Sequence, residues 1–389
     1  MIFQEAKMSR QKIEAQARRL GFQLFGVTTP DPPPHLEVYD GWLEAGRHAE
    51  MAYLATERAR QRRADPRLIL PECRSILVLG MQYPQPLPGD RLNSGVSDEL
   101  RGRVAAYAWG EDYHNVFAER MQALVAFIEA EVGAPISNRW YTDTGPLLER
   151  ELAQRAGLGW IGKNTCLIDP ERGSYYLLAE VLLSVELEPD QAFTFDRCGS
   201  CTRCLEACPT ACILPDRTID SRRCISYLTI ELKGPIPSDL RPLIGDWVFG
   251  CDICQQVCPW NVRFAQHQDQ PPDPAFFPFP DLPRPDLVEA LSLTSQAFNR
   301  KFKNSPLKRA KRRGYLRNAA VALGNLGVPV AASALAQAVL SDPEPLVRGH
   351  AAWALGRIGG ELASATLSLA LQNETDVYVL EEIRQALHH

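Results

Sequence analysis

Cysteines dominate the chemistry available to this 389-residue chain: there are eleven, and nine of them fall between positions 198 and 258. The stretch CGSCTRCLEACPTAC places Cys198, Cys201, Cys204 and Cys208 in C-x2-C-x2-C-x3-C spacing, closed by Pro209. That comb suits a four-iron cluster, because each iron of the cube needs its own soft thiolate. A second stretch, CDICQQVCPW, is one cysteine short: it offers Cys251, Cys254 and Cys258 before Pro259. Where two such runs share a fold, the fourth cysteine of each ligates the other run's cluster. The rule assigns Cys198, Cys201, Cys204 and Cys258 to one cluster. It assigns Cys208, Cys251 and Cys254 to the other and leaves one position open, for which Cys224 in DSRRCISY is best placed. Zinc also binds C-x2-C pairs, but the comb followed by Cys-Pro points to iron and sulfur. The prolines are expected to end the short helix after each run. Cys73, Cys166 and Cys212 have no place in this scheme and read as small buried hydrophobes.

Clusters carry electrons but choose no substrate, so other segments must supply the rest. Three stretches are poor core material: YAWGEDYH (107–114), WYTDTGPLLER (140–150) and GLGWIGKNTCLI (157–168). The glycines of the third allow close approach of backbone to a flat or bulky ligand. Asp143 precedes a Thr-Gly-Pro turn. It reads either as an Asx-turn cap or as a proton donor, the role a carboxyl beside apolar rings can take. A basic run, NRKFKNSPLKRAKRRGYLRN, contains nine lysines and arginines and no carboxylate. Such runs are usually solvated faces, but this one, with Phe302 and Tyr315 interleaved, is a phosphate-binding footprint on a chain of net charge −5.

Behind these residues the elements read as a multidomain α+β protein. RSILVLGMQYP (74–84) is a strand, and YHNVFAERMQALVAFIEAEVG (113–133) is a helix with i, i+3, i+4 spacing that ends at Gly133. SYYLLAEVLLSVEL is a strand or a strand pair. Residues 1–190 form a mixed α/β catalytic domain, and 191–265 a ferredoxin-like domain. A proline-rich linker spans 266–286. Residues 287–389 form a helical repeat of HEAT type, in which NAAVALGNLG (318–327) and HAAWALGRIG (350–359) align at an offset of 32 residues, with a weaker third copy at the end.

Apolar content of 45% and charged content of 23% are ordinary for a globular protein. The most apolar stretch is broken by Glu180 and Glu186 and is too short to span a bilayer. The N-terminal residues have the charge pattern of a helix and lack the apolar core of a secretory signal. The expectation is a cytosolic, membrane-free protein whose thiols are ligands rather than disulfides. It is expected to be a monomer.

Taken together, YAWGEDYH, DTGPLLERELAQRAGLGWIGKNT, the two cysteine runs with Cys224 between them, and SPLKRAKRRGYLRNAAVALGN resemble the epoxyqueuosine reductases over nearly the full length. The resemblance implies cobalamin bound by the N-terminal domain and two [4Fe-4S] clusters that reduce it. The implied reaction is reduction of epoxyqueuosine at the wobble position of a tRNA anticodon, the last step of queuosine synthesis. By motif, Asp143 would protonate the opening epoxide oxygen, and Tyr107, Gly162, Lys163, Asn164 and Thr165 would line the cobalamin. Lys308, Arg309, Lys311, Arg312, Arg313 and Arg317 would hold the tRNA. An external donor of ferredoxin or flavodoxin type would refill the clusters. His114 is not expected to ligate cobalt, since Phe117 replaces the glycine of the D-x-H-x-x-G pattern. Reductive dehalogenases also join cobalamin to two clusters, but they generally carry an export leader and lack a basic helical tail. A non-catalytic iron–sulfur carrier that binds RNA is the remaining rival reading.

Overall fold

The computed structural model describes residues 9–86, 100–264 and 271–388. Its N-terminal region is built on a four-stranded antiparallel sheet, ordered Leu24–Thr28, Ser75–Gln82, Tyr176–Leu183, Asn138–Tyr141. The stretch expected to be one strand or a pair is therefore a single strand at the heart of the sheet. Side chains alternate across it. Leu77, Leu79, Met81, Ala179 and Val181 face the long helix Tyr113–Val132 through Phe117, Met121 and Leu124. Ile76, Val78 and Leu182 face the opposite way, onto Leu152, Ala153 and Ala156 at helix Glu149–Arg155. Two covered faces explain why Ser75–Gln82 reads as a continuous apolar run.

The long helix starts at Asp112, whose carboxylate accepts the His114 N–H at 3.1 Å, and stops at Gly133 with φ +77°. The glycines of GLGWIGKNT turn out to accommodate the chain itself. A Cβ on Gly159 would meet the Ile168 carbonyl at 2.1 Å, and one on Gly157 would meet the Gln191 carbonyl at 2.7 Å. The hairpin Trp160–Ile161 with Leu167–Ile168 needs that room.

The middle region carries short helices Arg203–Ala207, Ile253–Gln256 and Pro259–Phe264. Pro209 follows its helix as expected, but Pro259 opens one. At the first helical position a missing N–H costs nothing and the fixed φ is already helical. Strand Trp247–Phe249 pairs in parallel with Arg103–Val104, which joins this region to the first.

The expected linker begins outside the described residues. From 271 to 286 it is packed against the N-terminal region: Phe276 is 1% exposed, and Asp273 pairs with Arg120 at 2.6 Å. The backbone N–H groups of Gly102 and Val104 donate to Pro285 and Pro283.

Helices Lys311–Leu326, Pro345–Ile358 and Val377–Leu387 stack in register, with Ala332–Ser341 and Glu361–Asn373 outside them. The repeated Ala-Leu-Gly has a packing cause. A methyl on Gly324 would lie 2.7 Å from the Trp353 ring and 2.9 Å from the Ala354 backbone, and one on Gly356 would lie 2.8 Å from Ala386. Among the described residues no helix is long and apolar enough to cross a membrane.

Candidate functional site

All eight assigned cysteines are free thiols. Cys198, Cys201, Cys204 and Cys258 ring one small cavity with Lys163, Asn164 and Trp260. The fourth thiol reaches it because Pro259–Phe264 packs beside the first run, and the Trp160 indole N–H points at the Cys198 sulfur at 3.4 Å. The second set gathers around Cys224. Cys251 and Cys254 both lie within electrostatic reach of it, and Cys251 also feels Cys208. These donors suit soft iron–sulfur centres. Cys212 is not simply core filler: its sulfur is 3.4 Å from that of Cys208 and it lies within electrostatic reach of Cys224, as Cys166 does of Cys254. Cys73 is buried in the sheet core, where burial pushes its thiol up to about 11.

A large concavity, about 1010 Å³, opens between all three regions of the chain. Its wall includes Met51, Tyr53, Tyr107, Tyr113, Tyr227 and Phe249, apolar and aromatic surface broad enough for a macrocycle. Cys224 of the second thiol set reaches the same wall, as do Asp143, Arg63 and Arg150. Tyr107 was expected here and is present. Gly162, Lys163, Asn164 and Thr165 are turned elsewhere. The Lys163 ammonium is claimed by the Gly199 and Cys201 carbonyls at 2.7 and 2.9 Å, and the Asn164 amide contacts the Cys254 carbonyl at 3.5 Å. Gly162 and Thr165 close a turn on each other, and the Thr165 carbonyl accepts from Arg150 at 2.6 Å. This loop braces the thiol sites and reaches the cavity only through Arg150.

Asp143 sits at the rim with φ +59°, a left-handed conformation costly for a residue with a Cβ. Its carboxylate does not cap the following turn. It accepts the Tyr113 hydroxyl at 2.8 Å, while its N–H donates to Glu149 at 2.7 Å. Burial, then the Asp143 charge, pushes Tyr113 above the ordinary phenol range. Beside it His114 stacks on Tyr113 at 4.1 Å and holds Asp112 through Nδ1 at 2.8 Å, a local cap. That bond raises the His114 pKa against the opposing effect of burial. Tyr113 and Glu149 both lie in segments with visible chemistry, yet nothing in their spacing marks them as partners of Asp143.

The basic run divides. Lys308, Arg309 and Lys311 line the cavity and are exposed, and Arg313 is exposed beyond them. Arg309 also pairs with Glu231 at 2.9 Å. Arg312 and Arg317 are structural. Arg312 is paired with Asp342 at 2.5 Å, and Arg317 is fully buried, donating to the carbonyls of Leu228, Leu232 and Gly234. Phe302 and Tyr315 are core residues, with ring centroids 5.1 Å apart and each 1% exposed. A helix whose next turns must bury one face cannot present every basic residue to solvent.

Comparison with known proteins bears on this geometry. The family model described as "Epoxyqueuosine reductase QueG, DUF1730" matches residues 63–144. A 4Fe-4S double cluster binding domain matches 197–261, and HEAT repeats match 307–388. The chain is 42% identical over 350 residues to epoxyqueuosine reductase of Pseudomonas aeruginosa, covering 90% of this chain and 94% of that one. It is similar to a crystal structure of epoxyqueuosine reductase with a tRNA-Tyr epoxyqueuosine-modified stem loop, at TM-score 0.88 and 32% identity over 97% of this chain and 98% of that one. The Bacillus subtilis epoxyqueuosine reductase, in a structure with its catalytic loop swung out of the active site, gives TM-score 0.87 at 32% identity, with the same coverage.

Proposed function

The chain belongs to the epoxyqueuosine reductase family, and we propose that it reduces epoxyqueuosine in a tRNA anticodon to queuosine, the last step of that base's synthesis. The observation that carries this reading is the single cavity in which Asp143, the thiol Cys224 and the basic side chains Lys308, Arg309 and Lys311 share one wall. A proton source, an electron entry point and a phosphate-binding edge meet there.

Cobalamin, when bound in this cavity, supplies a low-potential metal centre able to drive electrons into a carbon–oxygen bond. The residues around it do the remaining work. Cys198, Cys201, Cys204 and Cys258 hold one [4Fe-4S] cluster, and Cys208, Cys224, Cys251 and Cys254 hold the other, nearer the cavity. Tyr107 and Phe249, tilted at 6.2 Å, form an apolar floor that keeps water from the reacting carbon. Lys308, Arg309 and Lys311 bind anticodon phosphates and fix the modified base over the opening. Asp143, oriented by Tyr113, delivers a proton to the epoxide oxygen as its bond to carbon breaks. An external one-electron donor of ferredoxin or flavodoxin type completes the cycle, and the enzyme acts as a monomer.

The test is anaerobic turnover of epoxyqueuosine-containing tRNA by protein carrying about eight irons and one cobalt per chain, with nucleosides identified by mass spectrometry. Queuosine should form, and Asp143→Asn should abolish it while retaining both metals. Fully loaded wild-type protein that leaves epoxyqueuosine intact would overturn the reading.

A further inference from the structure

Glu180 is the least expected side chain in the sheet. It lies in the central strand Tyr176–Leu183, opposite Val78 on one side and Tyr141 on the other. It points to the face otherwise packed with Ile76, Val78, Leu182 and Leu152. It is 0% exposed, and neither carboxyl oxygen has a hydrogen-bond partner among the described residues. A charged carboxylate cannot persist there, so the group is held as the neutral acid. An aliphatic residue would serve the core better, so the acid has some other use.

Its electrostatic neighbours name that use. Burial raises the Glu180 pKa well above the carboxylate range, and the next causes are Glu149 and then Asp143. Glu149 opens helix Glu149–Arg155, and burial, then the Asp143 charge, pushes it up to about 7, against the hydrogen bond from the Asp143 N–H and the charges of Arg150 and Arg63. That N–H engages Glu149 Oε1, leaving Oε2 to carry a proton. On the far side of Asp143 stand Tyr113, which donates to it, and His114 and Arg309, which feel its charge. Three carboxyls thus run from the cavity rim into the sheet: Asp143 from the loop, Glu149 from the helix and Glu180 from the strand.

The proposed reaction requires more protons than one carboxyl holds. Removing an epoxide oxygen as water takes two electrons and two protons and leaves a carbon–carbon double bond. The electrons come through the thiol-bound clusters. The first proton goes to oxygen as the first C–O bond breaks, and the second goes to the same oxygen as the remaining C–O bond breaks and water departs. Asp143 is exposed at the rim of the free protein. Cofactor and RNA filling the cavity would cover it, and a second proton would then have to come from within the protein. We propose that Glu149 and Glu180 form an internal proton store that reprotonates Asp143 within one turnover. Both are positioning residues, acting through Asp143, and the proposal rests on the reading of Asp143 as the acid.

The experiment compares wild type, Glu180→Gln and Glu149→Gln in two ways. Infrared spectroscopy should reveal protonated-carboxyl absorption at neutral pH that is reduced in Glu180→Gln, the part lost being the part that persists in wild type as pH rises past the Glu149 titration. Steady-state turnover by loaded holoenzyme should fall about tenfold or more in kcat for either variant, with KM unchanged. The high-pH limb of the wild-type profile should be lost in Glu149→Gln. Full activity in Glu180→Gln, or a wild-type spectrum without that persisting absorption, would overturn the proton store and leave the proposed function standing. Loaded wild-type enzyme inactive on epoxyqueuosine tRNA would overturn the function, and the store with it.

Discussion

Replacing Lys308, Arg309 and Lys311 together by glutamine removes the three cations that the basic run contributes to the cavity wall, leaving Arg63 and Arg150 in place. Each phosphate neutralised by a protein cation contributes about 0.7 (single strand) to 0.9 (duplex) to the slope of log K against log salt. Three contacts are therefore worth about 2–3 units of slope. Arg309 enters at a discount, since it must first leave Glu231. Glu231→Gln should accordingly tighten RNA binding, while the triple variant weakens it, most of all at low salt. Arg317→Met is the control from the same helix. It deprives three backbone carbonyls of their donor, at about 1–3 kcal/mol each, so it should melt early and leave the salt slope unchanged in whatever fraction folds. The assay is fluorescence anisotropy of an anticodon stem loop from low to moderate salt, with a thermal melt for each protein. An unchanged slope in the triple variant would refute the division of the run. So would an Arg317→Met protein that melts like wild type and has a reduced slope.

Cys258→Ser and Cys201→Ser should give the same phenotype, each retaining about four of about eight irons, because crossed ligation places both thiols on one cluster; iron analysis and electron paramagnetic resonance check this, and different surviving clusters would contradict it. Tyr113→Phe removes a hydrogen bond to the Asp143 carboxylate, an interaction worth about 1.5–3 kcal/mol for a charged acceptor, and should lower kcat by about tenfold or more with KM unchanged in steady-state kinetics. Gly324→Ala forces a methyl against Trp353 and the Ala354 backbone, an overpacking cost of about 1–3 kcal/mol that should lower the melting temperature without affecting iron content. Glu180→Gln should change the pH dependence of stability. The native carboxyl keeps a proton that the unfolded chain releases above its ordinary value of 4.5, so wild type loses stability relative to the variant as pH rises from 4.5, by up to about 1.4 kcal/mol per unit; parallel stability curves from pH 5 to 8 would contradict the assignment.

What could be read from the sequence was whatever is encoded by local spacing. The two cysteine runs, the long amphipathic helix ending at Gly133 and the Ala-Leu-Gly repeat each carry their constraint within a short window, because a cube, a helix face and a close helix crossing each impose a fixed period. Side-chain direction was not legible. Arg317 looks no different from Lys308 in a run of cations, yet one is buried under three carbonyls and the other is exposed; only the stacking of the repeat on residues 228–234 decides between them. The loop at 157–165 shows the same limit: its glycines signal a close approach but not to what, and Gly159 and Gly162 closely approach Ile168 of the chain's own hairpin.

Glu180 is the instructive case, because its signal was visible and was spent on the wrong question. Glu180 and Glu186 in YYLLAEVLLSVEL argue against a membrane span, and that argument makes no other use of Glu180. In a strand buried on both faces the same carboxylate is a standing cost of a kind that folded proteins seldom leave uncompensated. The compensation cannot come from pairing, since neither oxygen has a partner among the described residues. It can come from protonation, and a proton held in the sheet next to Glu149 and Asp143 is placed where the reaction would consume it. A violation of the strand's own apolar pattern, read together with the segment that folds against it, locates this part of the site as well as a motif would, and it does so from physical cost alone.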